Sequence, residues 1–366
     1  MSMKREFWQG KRVLVTGHTG FTGSWMSLML DTLGAIVCGY SLPLGPYSFY
    51  SKAEISIAEH HEGDIADREK VERALEGFRP EIIIHLASHS SLDGSDRIPD
   101  FILRTNIMGV VNLLDIARKM DCIKSIVIVT SDKCYKNLES QIPYTEDCAL
   151  GGEDPYSVSK VCQELITGCY QKTFFERDNQ GKNKINIATA RASNVIGTGD
   201  YNLTRLIPYM LDCFKKGNTA LLRNPAAIRA WQYVLDVVWG YLLLAQKLYE
   251  TDHGRENYNG AYNFGPDEDG FQKVETIAGT LSACFSNAKY IFGDVERSVK
   301  GETRILKLNS TKAKTLLGWH TIYPVWEMLQ EIASFVKKEE RGMKTGVLCR
   351  EAIQAYLKRV DRNDRM

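Results

Sequence analysis

A short β-branched strand that runs into three evenly spaced glycines constrains this chain more than any other feature. Arg12–Thr16 is followed by Gly17, Gly20 and Gly23, and an apolar helical pattern then begins. Glycine lets the chain turn sharply and lets a pyrophosphate approach bare backbone, while the N-terminus of the new helix stabilises phosphate charge. The segment therefore predicts a dinucleotide site, with an ordinary tight strand-to-helix turn as the alternative.

The first half of the chain alternates between predicted strands and predicted helices. The predicted strands are 12–16, 35–40, one ending at 62–64, 81–86, 123–130 and 185–191, and the predicted helices are 20–33, 68–77, 101–120 and 155–175. The run Glu81–Leu86 is almost continuously apolar, as in a strand covered on both faces. This rhythm predicts an α/β fold with a Rossmann-type, doubly wound parallel sheet.

The rhythm changes after Ile196, where short strands (220–222, 260–264, 289–291) are interleaved with helices (203–216, 234–249, 273–285, 310–317, 324–338). We expect a smaller mixed α/β lobe that binds substrate. The predicted domains are therefore 1–195, which binds the cofactor and carries the catalytic residues, 196–345, with some chain exchange between the lobes, and a tail, 346–366. That charged tail is expected to be partly disordered or to dock as a helix over 347–356.

Composition excludes several classes of protein. Of 366 residues, 46 are basic and 45 acidic, so no broad basic field is available for nucleic acid or an anionic membrane. The nine cysteines contain no Cys-x-x-Cys pair, which argues against a disulfide framework or a metal site. Without a membrane-length apolar stretch or an apolar signal core, we expect a cytoplasmic protein.

Two short segments carry the candidate chemistry. Tyr156 and Lys160 stand four residues apart at a predicted helix start, which puts them on one face, where a cation stabilises a phenolate. Ser131, Asp132 and Lys133 follow an apolar strand, at the sheet edge where such folds bind ligands. An acid beside a base suits elimination of water next to a carbonyl. The alternatives are a surface aromatic beside a solvated lysine and a turn with an exposed ion pair.

The chain resembles extended short-chain dehydrogenase/reductase proteins of the nucleotide-sugar branch, and among them the CDP-glucose 4,6-dehydratases. The resemblance runs almost end to end, through the phrases at 7–13, 17–21, 130–135, 154–157, 194–197, 205–208, 231–234, 263–266 and 317–320. The phrase Ser-Asp-Lys-Cys-Tyr is the narrowest of these, because similar dTDP-glucose and GDP-mannose dehydratases carry Glu at the position of Lys133.

The resemblance implies a role for each catalytic residue. Tyr156, supported by Lys160 and Ser131, takes the C4 hydroxyl proton of the sugar while hydride passes to bound NAD. Lys133 then removes the C5 proton as Asp132 protonates the departing C6 hydroxyl. The implied product is a CDP-4-keto-6-deoxy sugar for a bacterial surface polysaccharide such as O-antigen.

The resemblance also assigns binding residues. For NAD these are Gly17, Thr19, Gly20, Phe21, Thr22, Gly23, Asp64, Ile65, Leu86, Ala87, Ser88, Asn106, Thr130, Tyr156 and Lys160; for the sugar nucleotide they are Ser131, Asn194, Arg205, Leu206, Arg229 and Arg304. Asp64 has an alternative role as a helix N-cap. The choice of NAD over NADP rests on the resemblance, because the second strand ends at Ser41 without an acidic residue or an arginine.

One segment departs from the family pattern. After His85-Leu86-Ala87 the related dehydratases continue Ala-Gln-Pro-Leu-Val-Arg, whereas this chain reads Ser-His-Ser-Ser-Leu-Asp-Gly at 88–94. Because of this departure the sequence does not identify the hexose of the substrate. His89 either contacts the substrate or has no role in the site. An epimerase or decarboxylase of the same fold, a dehydratase for another nucleotide sugar, and a non-catalytic nucleotide sensor remain alternatives. The resemblance further implies a homodimer or homotetramer packed through helices 101–120 and 155–175.

Overall fold

A computed structural model describes residues 5–45, 48–89, 98–175, 185–251, 257–293 and 305–363. Its strands are β1 Arg12–Thr16, β2 Ile36–Ser41, β3 Glu59–Glu62, β4 Ile82–His85, β5 Ser125–Val129, β6 Asn186–Ala192, β7 Asn194–Ile196, β8 Thr219–Leu222, β9 Ile228–Tyr233, β10 Gly260–Phe264, β11 Phe271–Lys273, β12 Lys289–Phe292 and β13 Ile305–Leu306. Its α-helices are α1 Phe21–Thr32, α2 Phe49–Lys52, α3 Arg68–Phe78, α4 Pro99–Leu103, α5 Gly109–Ala117, α6 Pro155–Tyr170, α7 Leu206–Lys215, α8 Val234–Glu250, α9 Val274–Ala283, α10 Thr311–Leu317, α11 Val325–Glu340 and α12 Thr345–Asn363.

A seven-stranded parallel sheet in the order β10-β6-β5-β4-β1-β2-β3 forms the centre of the fold. The chain builds outward from β1 in one direction, and then returns to β4 and builds in the other. Parallel sheets bind ligands at such a reversal of strand order, beyond the carboxyl ends of the strands. The predicted doubly wound α/β fold is confirmed, and its switch point lies between β1 and β4.

The sheet is apolar because helices cover both of its faces. Every residue of β4 and of β6 is buried. One face carries a core that includes Trp25 of α1, much of α8 and Tyr356 of α12. The other face carries a core with Val71 of α3 and Leu113 of α5. Burial on both sides explains why these strands are continuous apolar runs rather than alternating ones.

The second half of the chain contributes to both parts of the molecule. Strand β10 joins the large sheet beside β6, and α8 packs on β5 and β6. The other strands form two small sheets, in which β9 pairs with β7, β11 and β13, and β8 pairs with β12. These small sheets, with α7 and α9, lie beyond the carboxyl edge of the parallel strands.

Several elements differ from the sequence-based expectation. The helix expected over 155–175 ends at Tyr170 and continues as a π-helical turn, and β7, β9, β11, β13 and α2 were not predicted. The single helix expected over 101–120 is divided into α4, a π-helical turn at Arg104–Met108 and α5. The C-terminal segment is not disordered over 345–363, because α12 buries Leu348, Ile353 and Tyr356 against the main core. Among the described residues, no helix combines the length and the apolar character needed to cross a bilayer.

Candidate active site

A cavity of about 760 Å³ opens at the switch point of the sheet. It is lined by the glycine turn after β1, the segment after β4, the loop after β5, the first turns of α6 and the chain that follows β6. All predicted site residues line it except Asn106, which is buried behind it, and Arg304, which lies outside the described residues. The predicted residues make up about half of the wall, and lining a cavity does not by itself assign a role.

The glycine turn leaves no room for side chains. Gly17 has a φ of +71°, and a Cβ there would lie 2.7 Å from the amide nitrogen of Ala87. A Cβ on Gly23 would lie 2.1 Å from the carbonyl oxygen of Gly17. The turn thus packs directly on the backbone after β4 and on the first turn of α1, and it exposes amide groups at a helix N-terminus, where an anion is favoured.

Asp64 lies at the other end of the cavity, after β3. Its carboxylate accepts a hydrogen bond from the amide of Ala66 at 2.9 Å, whereas Asp67 is the residue that caps α3. The alternative that Asp64 is the helix cap is therefore wrong. At the end of β2, the hydroxyls of Ser41 and Thr19 are 2.6 Å apart, where a dinucleotide fold often has an acidic residue.

The loop after β5 buries its acid. Ser131 caps a 3-10 turn at Asp132–Cys134, and its hydroxyl donates to Asp132 Oδ1 at 2.9 Å. Asp132 is only 5% exposed, which excludes an exposed ion pair. Burial raises the pKa of Asp132, although Lys133, Ser131 and Arg229 act in the opposite direction. Desolvation thus overcomes the attraction of the neighbouring cations and favours a carboxyl group that carries a proton.

Helix α6 places the phenol and the lysine on its buried face. Asp154 caps the helix by accepting from the amide of Ser157. Lys160 Nζ donates to Gln163 Oε1 at 3.0 Å and to the carbonyl of Val129 at 3.3 Å. Tyr156 and Lys160 are both buried, so neither is a surface residue.

Burial shifts the pKa values of both residues in the direction that favours their neutral forms. It raises the pKa of Tyr156 to about 12, with a contact to Ser131 and the charge of Arg205 opposing the rise. It lowers the pKa of Lys160 to about 7, against the nearby Glu164. A phenolate at neutral pH therefore needs additional positive charge in the cavity.

Asn106 braces the segment that follows β4, as predicted. Its Oδ1 accepts from the amide of His89 at 2.8 Å, and its Nδ2 donates to Ser159 Oγ of α6 at 2.8 Å. His89 lines the cavity. Positions 90–94 of the divergent segment lie outside the described residues.

Arginines line the far end of the cavity. Arg205 precedes α7 and forms an ion pair of 2.8 Å with Asp200, whose side chain is buried. Arg229 lies on β9, and Asn194 begins β7. This end therefore offers guanidinium and amide donors, which suit phosphate oxygens.

Two of the features that sequence reasoning missed involve polar groups at the site. The first is a pair of wall residues that were not predicted: Asp200, which forms the ion pair with Arg205, and Tyr241 of α8. A second feature is the buried ion pair of Glu164 and Arg191, at 2.8 Å, behind the catalytic loop. The signal for this pair was a charge in an apolar strand and an acid one helical turn after Lys160.

Comparisons with known proteins agree with this geometry. The sequence profile of the GDP-mannose 4,6 dehydratase family matches residues 14–332. The CDP-glucose 4,6-dehydratase of Salmonella typhimurium is 39% identical over 355 residues, which cover 96% of this chain and 98% of that protein. The similarity therefore extends through both the large sheet and the small sheets.

Solved structures share the fold. An epimerase from Methanothermobacter thermautotrophicus has a TM-score of 0.78 at 25% identity, covering 95% of this chain and 96% of that one. The dTDP-glucose 4,6-dehydratase of Bacillus anthracis, solved in complex with NAD, has a TM-score of 0.72 at 22% identity, covering 92% and 100%. Since the family match spans most of the chain, this protein belongs to the GDP-mannose 4,6 dehydratase family.

Proposed function

We propose that this protein is a hydro-lyase, a CDP-glucose 4,6-dehydratase that uses NAD and produces CDP-4-keto-6-deoxyglucose. The observation that carries the proposal is the buried acid Asp132 beside Tyr156 in the cavity wall. Oxidation and isomerisation at C4 need only the phenol and the cofactor, whereas elimination of water needs a proton donor as well. The identity with the Salmonella CDP-glucose 4,6-dehydratase supports the choice of nucleotide.

The residues at the glycine turn fit NAD. Gly17, Gly20 and Gly23 carry no side chain that would keep a pyrophosphate away from the start of α1, and Asp64 and Tyr156 line the same cavity. Bound NAD supplies a hydride acceptor at C4 and a hydride donor at C6, so that the sugar undergoes no net redox change. Strand β2 ends at the hydroxyl pair of Ser41 and Thr19, and neither side chain is a cation that would bind the additional phosphate of NADP.

Tyr156 acts as the base for the C4 hydroxyl. Its pKa of about 12 in the ligand-free protein means that the phenol keeps its proton until cationic groups stabilise the phenolate. Arg205 supplies one such charge, and Lys160, one helical turn away with its Nζ 5.7 Å from the centroid of the Tyr156 ring, adds a second when it is protonated. Ser131 hydrogen-bonds the same hydroxyl and orients it toward the phenol.

Asp132 and Lys133 carry out the elimination. A ketone at C4 acidifies the C5 proton, which Lys133 removes, while Asp132 protonates the departing C6 hydroxyl. Because burial raises the pKa of Asp132, this carboxyl group holds the proton that the leaving group needs. Arg205 and Arg229 bind the diphosphate, and Asn194 and Leu206 bind the sugar nucleotide beside them.

We further propose that two copies associate through α4, the π-helical turn and α6. Their exposed apolar side chains include Phe101 of α4 and Met108 of the π-helical turn, and Val158 and Leu165 of α6. The two members of each pair are seven residues apart. An exposed apolar stripe of this kind favours burial against another helix pair.

We also propose that the protein acts in the cytoplasm. All nine cysteines are free thiols, as is typical of a reducing compartment. The product would serve there as a precursor of a surface polysaccharide.

The test is incubation of the purified protein with NAD and, separately, CDP-glucose, dTDP-glucose, UDP-glucose and GDP-mannose. Mass spectrometry distinguishes loss of water from unchanged mass and from loss of carbon dioxide. We expect CDP-glucose to lose one water faster than the other three substrates. Isomerisation without a change in mass would identify an epimerase instead, and stoichiometric NAD without turnover would identify a sensor.

A further inference from the structure

A buried ion pair lies directly behind the catalytic loop. Glu164 of α6 and Arg191 of β6 are 2.8 Å apart, and their side chains are 4% and 5% exposed. Because charges are costly to bury, a pair this deep persists only where its remaining hydrogen-bonding groups are largely satisfied. Two of its partners, Thr130 and Tyr135, lie on either side of the catalytic loop.

The acid holds the beginning of the loop. Glu164 Oε1 accepts from the hydroxyl of Thr130 at 2.5 Å, and Oε2 accepts from Thr189 at 2.7 Å. Thr130 immediately precedes Ser131, so the carboxylate fixes the point at which the chain leaves β5. The Thr130 hydroxyl is thereby directed to α6.

The arginine holds the end of the same loop. Arg191 Nη1 donates to the phenolic oxygen of Tyr135 at 2.8 Å and to the carbonyl of Glu146 at 3.0 Å. The Tyr135 hydroxyl in turn donates to Asn263 Oδ1 at 2.7 Å. One ion pair therefore anchors the residues on both sides of the Ser131-Asp132-Lys133 segment.

The anchor also joins the loop to the helix of the phenol. Glu164 follows Lys160 by one turn of α6, so a shift of this carboxylate moves the loop relative to Tyr156. In the proposed reaction, Tyr156 acts at C4 while Asp132 and Lys133 act at the next two carbons. The two sets of groups must therefore keep a fixed separation along one hexose.

We propose that Glu164 and Arg191 are positioning residues that hold the elimination groups in register with the oxidation groups. The inference rests on the proposed function for its consequence in catalysis, and on the contacts above for its geometry. Since small displacements of catalytic groups slow reactions strongly, loss of the pair should lower kcat about 100-fold with little change in KM.

The experiment compares Glu164→Met, Arg191→Met and the double variant with the wild type, because methionine keeps the length of each side chain but cannot accept from Thr130 or donate to Tyr135. Each single variant leaves one buried partner without its ion, so its Tm should fall. The double variant removes both charges and should recover much of that Tm. We expect the double variant nevertheless to keep the low kcat, because Thr130 and Tyr135 have lost their anchors.

Hydrogen–deuterium exchange provides a readout independent of turnover. The peptide that spans 130–136 should exchange about tenfold faster in the double variant than in the wild type, since local opening governs exchange. Tyr135→Phe is a milder variant that keeps the ion pair but removes one anchor. We expect it to lower kcat about tenfold at unchanged KM.

Tyr356→Phe is the matched control, because it removes a buried 2.9 Å hydrogen bond to Asp236 far from the loop. It should lower Tm and leave kcat unchanged. A double variant with wild-type kcat and wild-type exchange would overturn the inference, as would a fully active Tyr135→Phe. A wild type that does not dehydrate CDP-glucose would refute the proposed function alone, because the exchange and Tm comparisons still test the anchor.

Discussion

At the scale of single residues, burial has opposite consequences for the acid and the lysine of this site. It raises the pKa of Asp132, which favours the protonated acid, and it lowers the pKa of Lys160 to about 7, which favours the neutral amine. Both shifts follow from the cost of an ion away from water. The residue types were readable in the sequence, but their burial depends on α6 and β9 packing over the loop.

Lys160→Met should change how stability depends on pH. Lys160 has a pKa of about 7 in the folded protein and of about 10.4 in the unfolded chain. Below pH 7 it is therefore protonated in both states, and the folded protein bears the full cost of burying this charge. Between about pH 7 and about pH 10 the unfolded chain binds the additional proton, so wild-type stability rises with pH.

The variant lacks this titration. We therefore expect the free energy of unfolding of wild type relative to Lys160→Met to increase across that window, by up to about 4 kcal/mol. Urea denaturation of the NAD-free proteins at several pH values measures it. A constant difference between the two proteins across the window would show that Lys160 is not desolvated.

At the scale of elements, the glycine turn and the first turn of α1 form one packed unit. A methyl group on Gly23 meets the backbone of Gly17 and His18, which cannot rotate away as a side chain could. The strands on either side, β1 and β4, hold this backbone in place through their ladder. Space, rather than backbone conformation, is the constraint at Gly23.

Gly23→Ala should therefore lower the free energy of unfolding by about 1–3 kcal/mol and weaken NAD binding at least about tenfold. The control is Gly77→Ala in α3, where a Cβ meets nothing within 4 Å and the higher helix propensity of alanine should stabilise the protein slightly. Thermal unfolding and calorimetric titration with NAD measure both effects. Equal NAD affinity in the two variants would contradict the packing account.

Sequence periodicity predicted the elements well where packing is local. β1 and β10 have the predicted bounds, and α1, α3 and α8 differ by one or two residues. It failed where the outcome depends on distant partners. The π-helical turn at Arg104–Met108 includes Asn106, which forms hydrogen bonds with His89 and Ser159. Hydrophobic periodicity carries no information about those contacts.

The site divides in the same way. Motifs and family resemblance identified Tyr156, Lys160 and Asp132, because each of these residues lies in a short motif whose spacing is local. Arg191 was missed because its partner Glu164 lies 27 residues away on another element, and a single sequence carries no record of that pairing. Asp200 was missed although its partner Arg205 is only five residues further along the chain. The role of each wall residue stays a prediction.

At the scale of the whole molecule, α6 carries apolar side chains that are exposed outside the core. Leu165 is 61% exposed, although it lies in the same helix as the catalytic residues. A partner helix pair that covers it would also stiffen α6. Association and the arrangement of the site are therefore coupled in this account.

Leu165→Arg should convert the proposed dimer to a monomer, because a charge in the centre of an apolar interface is left desolvated and unpaired. Leu316→Arg of α10 is the control, since it is an exposed leucine on a helix outside that face. Light scattering after size-exclusion chromatography measures the mass. A dimeric Leu165→Arg, or a monomeric wild type, would exclude this interface.

The most direct test of the central claim is the mass of the product that Asp132→Asn forms from CDP-glucose in the presence of NAD. Asparagine keeps the shape and the hydrogen bond from Ser131 but cannot deliver a proton to the leaving hydroxyl. We predict that wild type releases a product lighter by one water, while Asp132→Asn forms it at least about 100-fold more slowly and still oxidises C4 slowly. Dehydration by Asp132→Asn at the wild-type rate would contradict the account.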